Sequence, residues 1–194
     1  MTALSNSPVR TNDRFRRIGV VAAVVLAVAG LLFGAFLLDD GSWAVIWLAY
    51  ALVGGVILFR SRGNNIGRLL IGIGLCWAWT FVAMVVIERL QSPTSVWVEM
   101  LSSVAGYWAW GFLILIPVLF PTGRPSDRFT RWLQVGVMIT IGLVSLAEFI
   151  SQSPKELTGT VSPVSVPLFP EIVEFLLDGG FVLVPLLLVA SLRT

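Results

Sequence analysis

Three carboxylates near the C-terminal end of the chain, Glu171, Glu174 and Asp178, are spaced i, i+3 and i+7. On a helix that spacing places them within one arc. Glu148, near the end of an earlier apolar run, could face the same arc, as could Glu88 and Glu99 near the ends of two others. Like charges held together in an apolar setting need a counter-charge, water or a proton. Glu148, Glu171, Glu174 and Asp178 are therefore a candidate site for a cation or for sensing external pH. Asp178 decides the matter. If Pro170 opens the last helix, Asp178 lies about 10 Å along its axis from Glu171. At that depth an ionised carboxylate costs about 2.5–3.5 kcal/mol on insertion scales. If the helix starts nearer Phe175, Asp178 stays at the interface and is ordinary.

A second candidate is aromatic. Trp77, Tyr107 and Trp108 fall near the middle of apolar runs, away from the interfacial belt that Trp43, Trp97 and Trp132 fit. Rings at those depths would line a cavity for an apolar or cationic ligand, or simply fill space. Residues two apart on a helix point to nearly opposite sides. Only one of Trp77 and Trp79, and one of Trp108 and Trp110, can therefore serve one cavity. Gly30 and Gly34 form a GxxxG spacing, which lets helices approach closely within a chain or between two copies. Other chemistry is closed off. The chain has no histidine and a single cysteine, Cys76. It can form no internal disulfide, no Cys/His zinc site and no Ser-His or Cys-His pair. No GxxxxGK[ST] phosphate loop occurs. The residues predict no catalysis, no cofactor and no metal centre.

The elements that must carry these residues follow from composition. Of 194 residues, 57% are hydrophobic and 12% charged, and mean hydropathy is +0.91. Soluble domains carry about 25% charged residues, so this composition predicts an integral membrane protein. A net charge of only +2 gives no footprint for nucleic acid. A bilayer core takes about 20 apolar residues in helical form. Six runs qualify, near 18–38, 43–60, 66–88, 99–120, 132–150 and 171–192. The expected fold is all-α, a six-helix membrane domain over 18–194 behind a polar, mobile cytoplasmic tail, 1–17. Residues 151–170 hold four of the ten prolines and read as an outer loop. Pro121 and Gly123 would end span four, and Ser126 is placed to cap span five.

Orientation follows from charge. With the N-terminus inside, eleven arginines (10, 14, 16, 17, 60, 62, 68, 124, 128, 131 and 193) fall on the cytoplasmic side, and only Arg89 and Lys155 outside. Both termini are then cytoplasmic and the chain is a multi-pass protein of the cell membrane. Arg124, Arg128 and Arg131 would sit among anionic lipid head groups and fix the insertion of spans four and five.

Two of the inner loops resemble one family. Arg60-Ser61-Arg62-Gly63-Asn64-Asn65-Ile66-Gly67-Arg68-Leu69-Leu70 is similar to the R-x-x-x-N-P-I-G-W-L-L loop in the membrane region of actinobacterial sensor histidine kinases. Val118-Leu119-Phe120-Pro121-Thr122-Gly123-Arg124-Pro125-Ser126 is similar to that family's L-L-F-P-D-G-R-L-P-S. Asn65 replaces the family's proline, Arg68 its tryptophan and Thr122 its aspartate, and one leucine after Arg124 is missing. With the chain ending at Thr194, the resemblance implies a sensor-type module without kinase domains. It would act through membrane lipids, a second copy, or a separately encoded kinase or response protein. No autokinase activity is expected from a chain without histidine. The alternative on size is the substrate-binding membrane component of a small-solute or metal-ion transporter, although no motif for coupling to an ATPase occurs. A third possibility is a truncated remnant without activity.

Overall fold

A computed structural model of the chain describes residues 9–38, 41–61, 63–90, 94–120, 122–125, 127–150, 157–161, 163 and 164. Among them the architecture is all-helical. The helices are α1 (Val9–Leu37), α2 (Gly41–Arg60), α3 (Asn65–Leu90), α4 (Ser95–Leu119) and α5 (Arg128–Ile150). Each contains a stretch long and apolar enough to cross a membrane, so the chain is a multi-pass membrane protein. The first five expected spans each coincide with one helix. The sixth, 171–192, with Glu171, Glu174 and Asp178, lies outside the described residues.

α1 starts at Val9, so much of the segment expected to be a mobile tail is helix. α4 and α5 likewise begin four residues before the expected starts of spans four and five. The apolar run marks the part of a helix in hydrocarbon, and hydrogen bonding carries each helix past it into the polar layer.

α3 is the hub. It packs against α1, α2 and α4, whereas α5 packs only against α4 among the described helices. More than half of its membrane-crossing part is buried, against a third or less in every other helix. Small residues make this possible. A Cβ at Gly30 would lie 2.9 Å from the Ala78 Cβ on α3, and one at Gly34 would collide with Phe81. The Gly30/Gly34 face is therefore spent inside the chain. Around it, Leu31, Ala44, Ala78 and Phe81 form one buried cluster. A second, of Ile114, Leu115, Val137 and Ile141, joins α4 to α5. Outward, α1, α2 and α5 present large apolar side chains such as Phe36, Val45, Ile139 and Leu146, as lipid-facing surfaces do.

Candidate functional site

Two polar arrangements mark opposite ends of this bundle, and α4 reaches both. At the arginine-rich end α2 stops at Arg60, and Gly63 turns the chain with φ +91°. Asn64 then caps α3: its side-chain oxygen accepts the Ile66 N–H at 2.8 Å. The next residue reaches across the fold. Asn65 Nδ2 donates to the Gly123 carbonyl at 2.8 Å, while its Oδ1 accepts from Arg68 Nη1 at 3.2 Å. Gly123 in turn closes α4, its N–H donating to the Leu119 carbonyl at 2.7 Å. It has φ +74°, and a Cβ there would lie 2.6 Å from Asn64 Oδ1 and 3.0 Å from the Asn65 nitrogen. Only glycine meets both demands. The two loops that share the family resemblance are thus one interlocked latch.

Gly123→Ala should lower the unfolding temperature of the detergent-solubilised chain by more than Asn65→Ala does. Alanine at 123 meets both a left-handed backbone, costing about 1 kcal/mol or more, and the two Asn neighbours. Asn65→Ala removes one hydrogen bond of about 1 kcal/mol. Equal effects would mean that the close approach is not there.

Beside the latch, Asp127 caps α5; Ser126, the cap expected from the sequence, lies outside the described residues. The Asp127 carboxylate accepts the Thr130 N–H at 2.7 Å and the Thr130 hydroxyl. The hydroxyl bond, and then the N–H bond, hold this carboxyl below its ordinary value of 3.8. A carboxyl with a lowered folded pKa stabilises the fold above its unfolded pKa and loses that contribution as pH falls through the folded value. Acidifying below about pH 4 should therefore loosen the start of α5, seen as a change in Trp132 emission. Asp127→Asn, which still caps but does not titrate, should abolish that change.

At the opposite end two of the described carboxylates, Glu99 and Glu148, are each held by a different partner. Glu99, in the second turn of α4, is 4% exposed. Its two oxygens accept consecutive backbone N–H groups from the loop after α5, Leu157 at 2.7 Å and Thr158 at 3.0 Å. Charge-assisted bonds of this kind are about twice as strong as neutral ones. Glu99 is a clasp on the loop. Glu148, 7% exposed near the end of α5, accepts from the Tyr107 hydroxyl of α4 at 3.2 Å. Ser145 Oγ, nearly one turn before it, is buried with no hydrogen-bond partner among the described residues. Glu88 is exposed. No three acidic or thiol side chains among the described residues gather closely enough to hold a metal ion. Glu171, Glu174 and Asp178, the other members of the expected acidic site, lie outside the described residues.

The aromatic candidates do not form one group. Trp77 stacks on Trp47 of α2 with centroids 4.4 Å apart and planes 12° apart, against the cluster around Leu31. Tyr107 and Trp108 pack against the other cluster, between α4 and α5. Trp79 and Trp110 are exposed, as their spacing from Trp77 and Trp108 requires. Of the candidates, Tyr107 and Glu148 are the two brought together by a direct bond. The Glu99 clasp and the Asn65–Gly123 latch were not foreseen as contacts. A buried acid inside an apolar run, and two Asn followed by an Arg one turn later, were the available signals.

Comparison of the chain with protein-family models, with curated proteins and with solved structures gives no match.

Proposed function

We propose that this chain is a signal-perceiving module of the cell membrane that passes a stimulus from its outer face to a partner at its inner face and performs no chemistry itself. The observation that carries the reading is the course of α4. One helix holds the loop after α5 through Glu99, contacts α5 through Tyr107 and Glu148, and ends in the latch with the loop before α3. Within α4, Pro117 lacks the N–H that would reach the Leu113 carbonyl, which makes the last turn the compliant part of the helix. A displacement of the outer loop thus has a continuous path to the latch, through hydrogen bonds at both ends and the α4 backbone between them. The resemblance of both latch loops to sensor-kinase membrane regions supports the same reading.

In this proposal residues 171–192 form a sixth span, and both termini and the latch are cytoplasmic, as the arginine distribution favours. Reporters fused after Arg62 and after Thr194 should both be active on the cytoplasmic side. Affinity purification from mild detergent should bring down a kinase or response protein. A periplasmic reporter at Thr194 would overturn the topology. Capture of an ATPase would replace signalling with the transport reading.

A further inference from the structure

The first turns of α5 border a cavity of about 850 Å³, lined among the described residues by Pro125, Asp127, Arg128, Arg131, Gln134, Val135, Met138 and Ile139. Its lining is divided by chemistry along the helix. Arg128, Arg131 and Gln134 stand at one end, and Val135, Met138 and Ile139 form the wall beyond them. Neither guanidinium has a hydrogen-bond or ion-pair partner among the described residues. The nearby acid, Asp127, already accepts the Thr130 N–H and hydroxyl. Two cations without a partner among the described residues thus sit beside an apolar wall that runs from Val135 to Ile139, about 6 Å at 1.5 Å per residue. Trp132, 70% exposed on the same turns, is the residue type found at head-group depth.

We propose that this cavity is a binding site for one anionic phospholipid, its phosphate held by Arg128 and Arg131 and one acyl chain lying along Val135, Met138 and Ile139. A soluble anion would use the arginines and leave the apolar wall wet. A zwitterionic lipid would use the wall but bring its own cation to the two arginines. An anionic lipid satisfies both halves. The site requires only that the start of α5 lie at a membrane surface, so it stands or falls separately from the signalling reading.

The test uses the full chain, delipidated in neutral detergent, with dioleoylphosphatidylglycerol and dioleoylphosphatidylcholine as probes and native mass spectrometry to count bound lipid. One phosphatidylglycerol should be retained per chain, with a preference over phosphatidylcholine of about 30-fold, since each basic residue near a membrane surface contributes about fivefold. R128Q/R131Q should reduce the preference to roughly onefold. R17Q/R60Q, which removes the same charge from exposed arginines outside the cavity, should leave it unchanged. Equal retention of the two lipids by the parent, or an equal loss in R17Q/R60Q, would overturn the proposal. So would displacement of the lipid by inorganic phosphate at equal concentration. A third arm asks whether the chain fills its own cavity. In M138C/C76S without lipid, the new thiol should react freely with a maleimide and be protected by phosphatidylglycerol. A thiol shielded before lipid is added would overturn the site in favour of occupation by residues 171–192.

Discussion

Gly54→Leu is expected to destabilise the helical core by about 3 kcal/mol, the upper part of the range for overpacking. A Cβ at Gly54 would lie 2.8 Å from the Gly67 carbonyl oxygen, 2.8 Å from the Ile71 nitrogen and 2.9 Å from the Leu70 Cβ. Two of these three atoms are α3 backbone, which cannot turn aside as a side chain can. The helices must therefore separate, and the contact is reciprocal, because a Cβ at Gly67 would lie 3.0 Å from the Gly54 carbonyl oxygen. Separation would also expose Ala51 against Gly74 in the same groove, where a Cβ on Gly74 would approach the Ala51 Cβ to 2.7 Å. Gly142 on α5 is the control, since nothing among the described residues lies within 4 Å of a Cβ placed there. Gly142→Leu should be neutral. Unfolding of the detergent-solubilised chain by increasing dodecyl sulfate, followed by circular dichroism, compares the two. Equal midpoints would mean that α2 and α3 are not in backbone contact.

The same contact shows what the sequence could and could not convey. Five spans were legible because a bilayer sets the length of an apolar run almost independently of what packs around it. Their ends were not. Glu99 looked like the boundary of span four, yet α4 begins at Ser95, because the carboxylate is buried and satisfied by two loop amides. Arg128 and Arg131 looked like loop, yet they are helical, because Asp127 caps the helix ahead of them and long cationic side chains can extend to the polar layer. Packing glycines were legible as a type. Their partners were not, since GxxxG says that something approaches Gly30 and Gly34 but not that it is Ala78 and Phe81. Of the four acidic candidates only Glu148 lies among the described residues, and its partner was not legible for a related reason. Helical periodicity aligns carboxylates along one helix, whereas Glu99 and Glu148 are each claimed by a different element, a loop and a phenol. The latch joins residues 58 apart. No local pattern encodes that pairing.

Glu99 gives the sharper test of how the fold is used. Glu99→Ala should raise hydrogen exchange at the Leu157 and Thr158 amides roughly a hundredfold. Hydrogen bonds to a charged group contribute about 1.5–3 kcal/mol each, and two are lost together. Glu99→Gln should give an intermediate rise. Its amide oxygen can still accept one N–H, but its NH₂ group presents donors where the second N–H also donates. Overall stability should move less than local exchange does. Alanine removes a buried charge along with its partners, and the freed loop amides can turn to water. A residue that merely filled the core would behave in the opposite way, lowering the unfolding midpoint while the loop amides kept their protection. That outcome would end the clasp interpretation. If the clasp is also the input of the proposed sensor, Glu99→Gln should leave partner capture at the latch intact while removing its dependence on the stimulus. Asn65→Ala should instead weaken capture itself, because it cuts the Gly123 bond at the other end of the same helix.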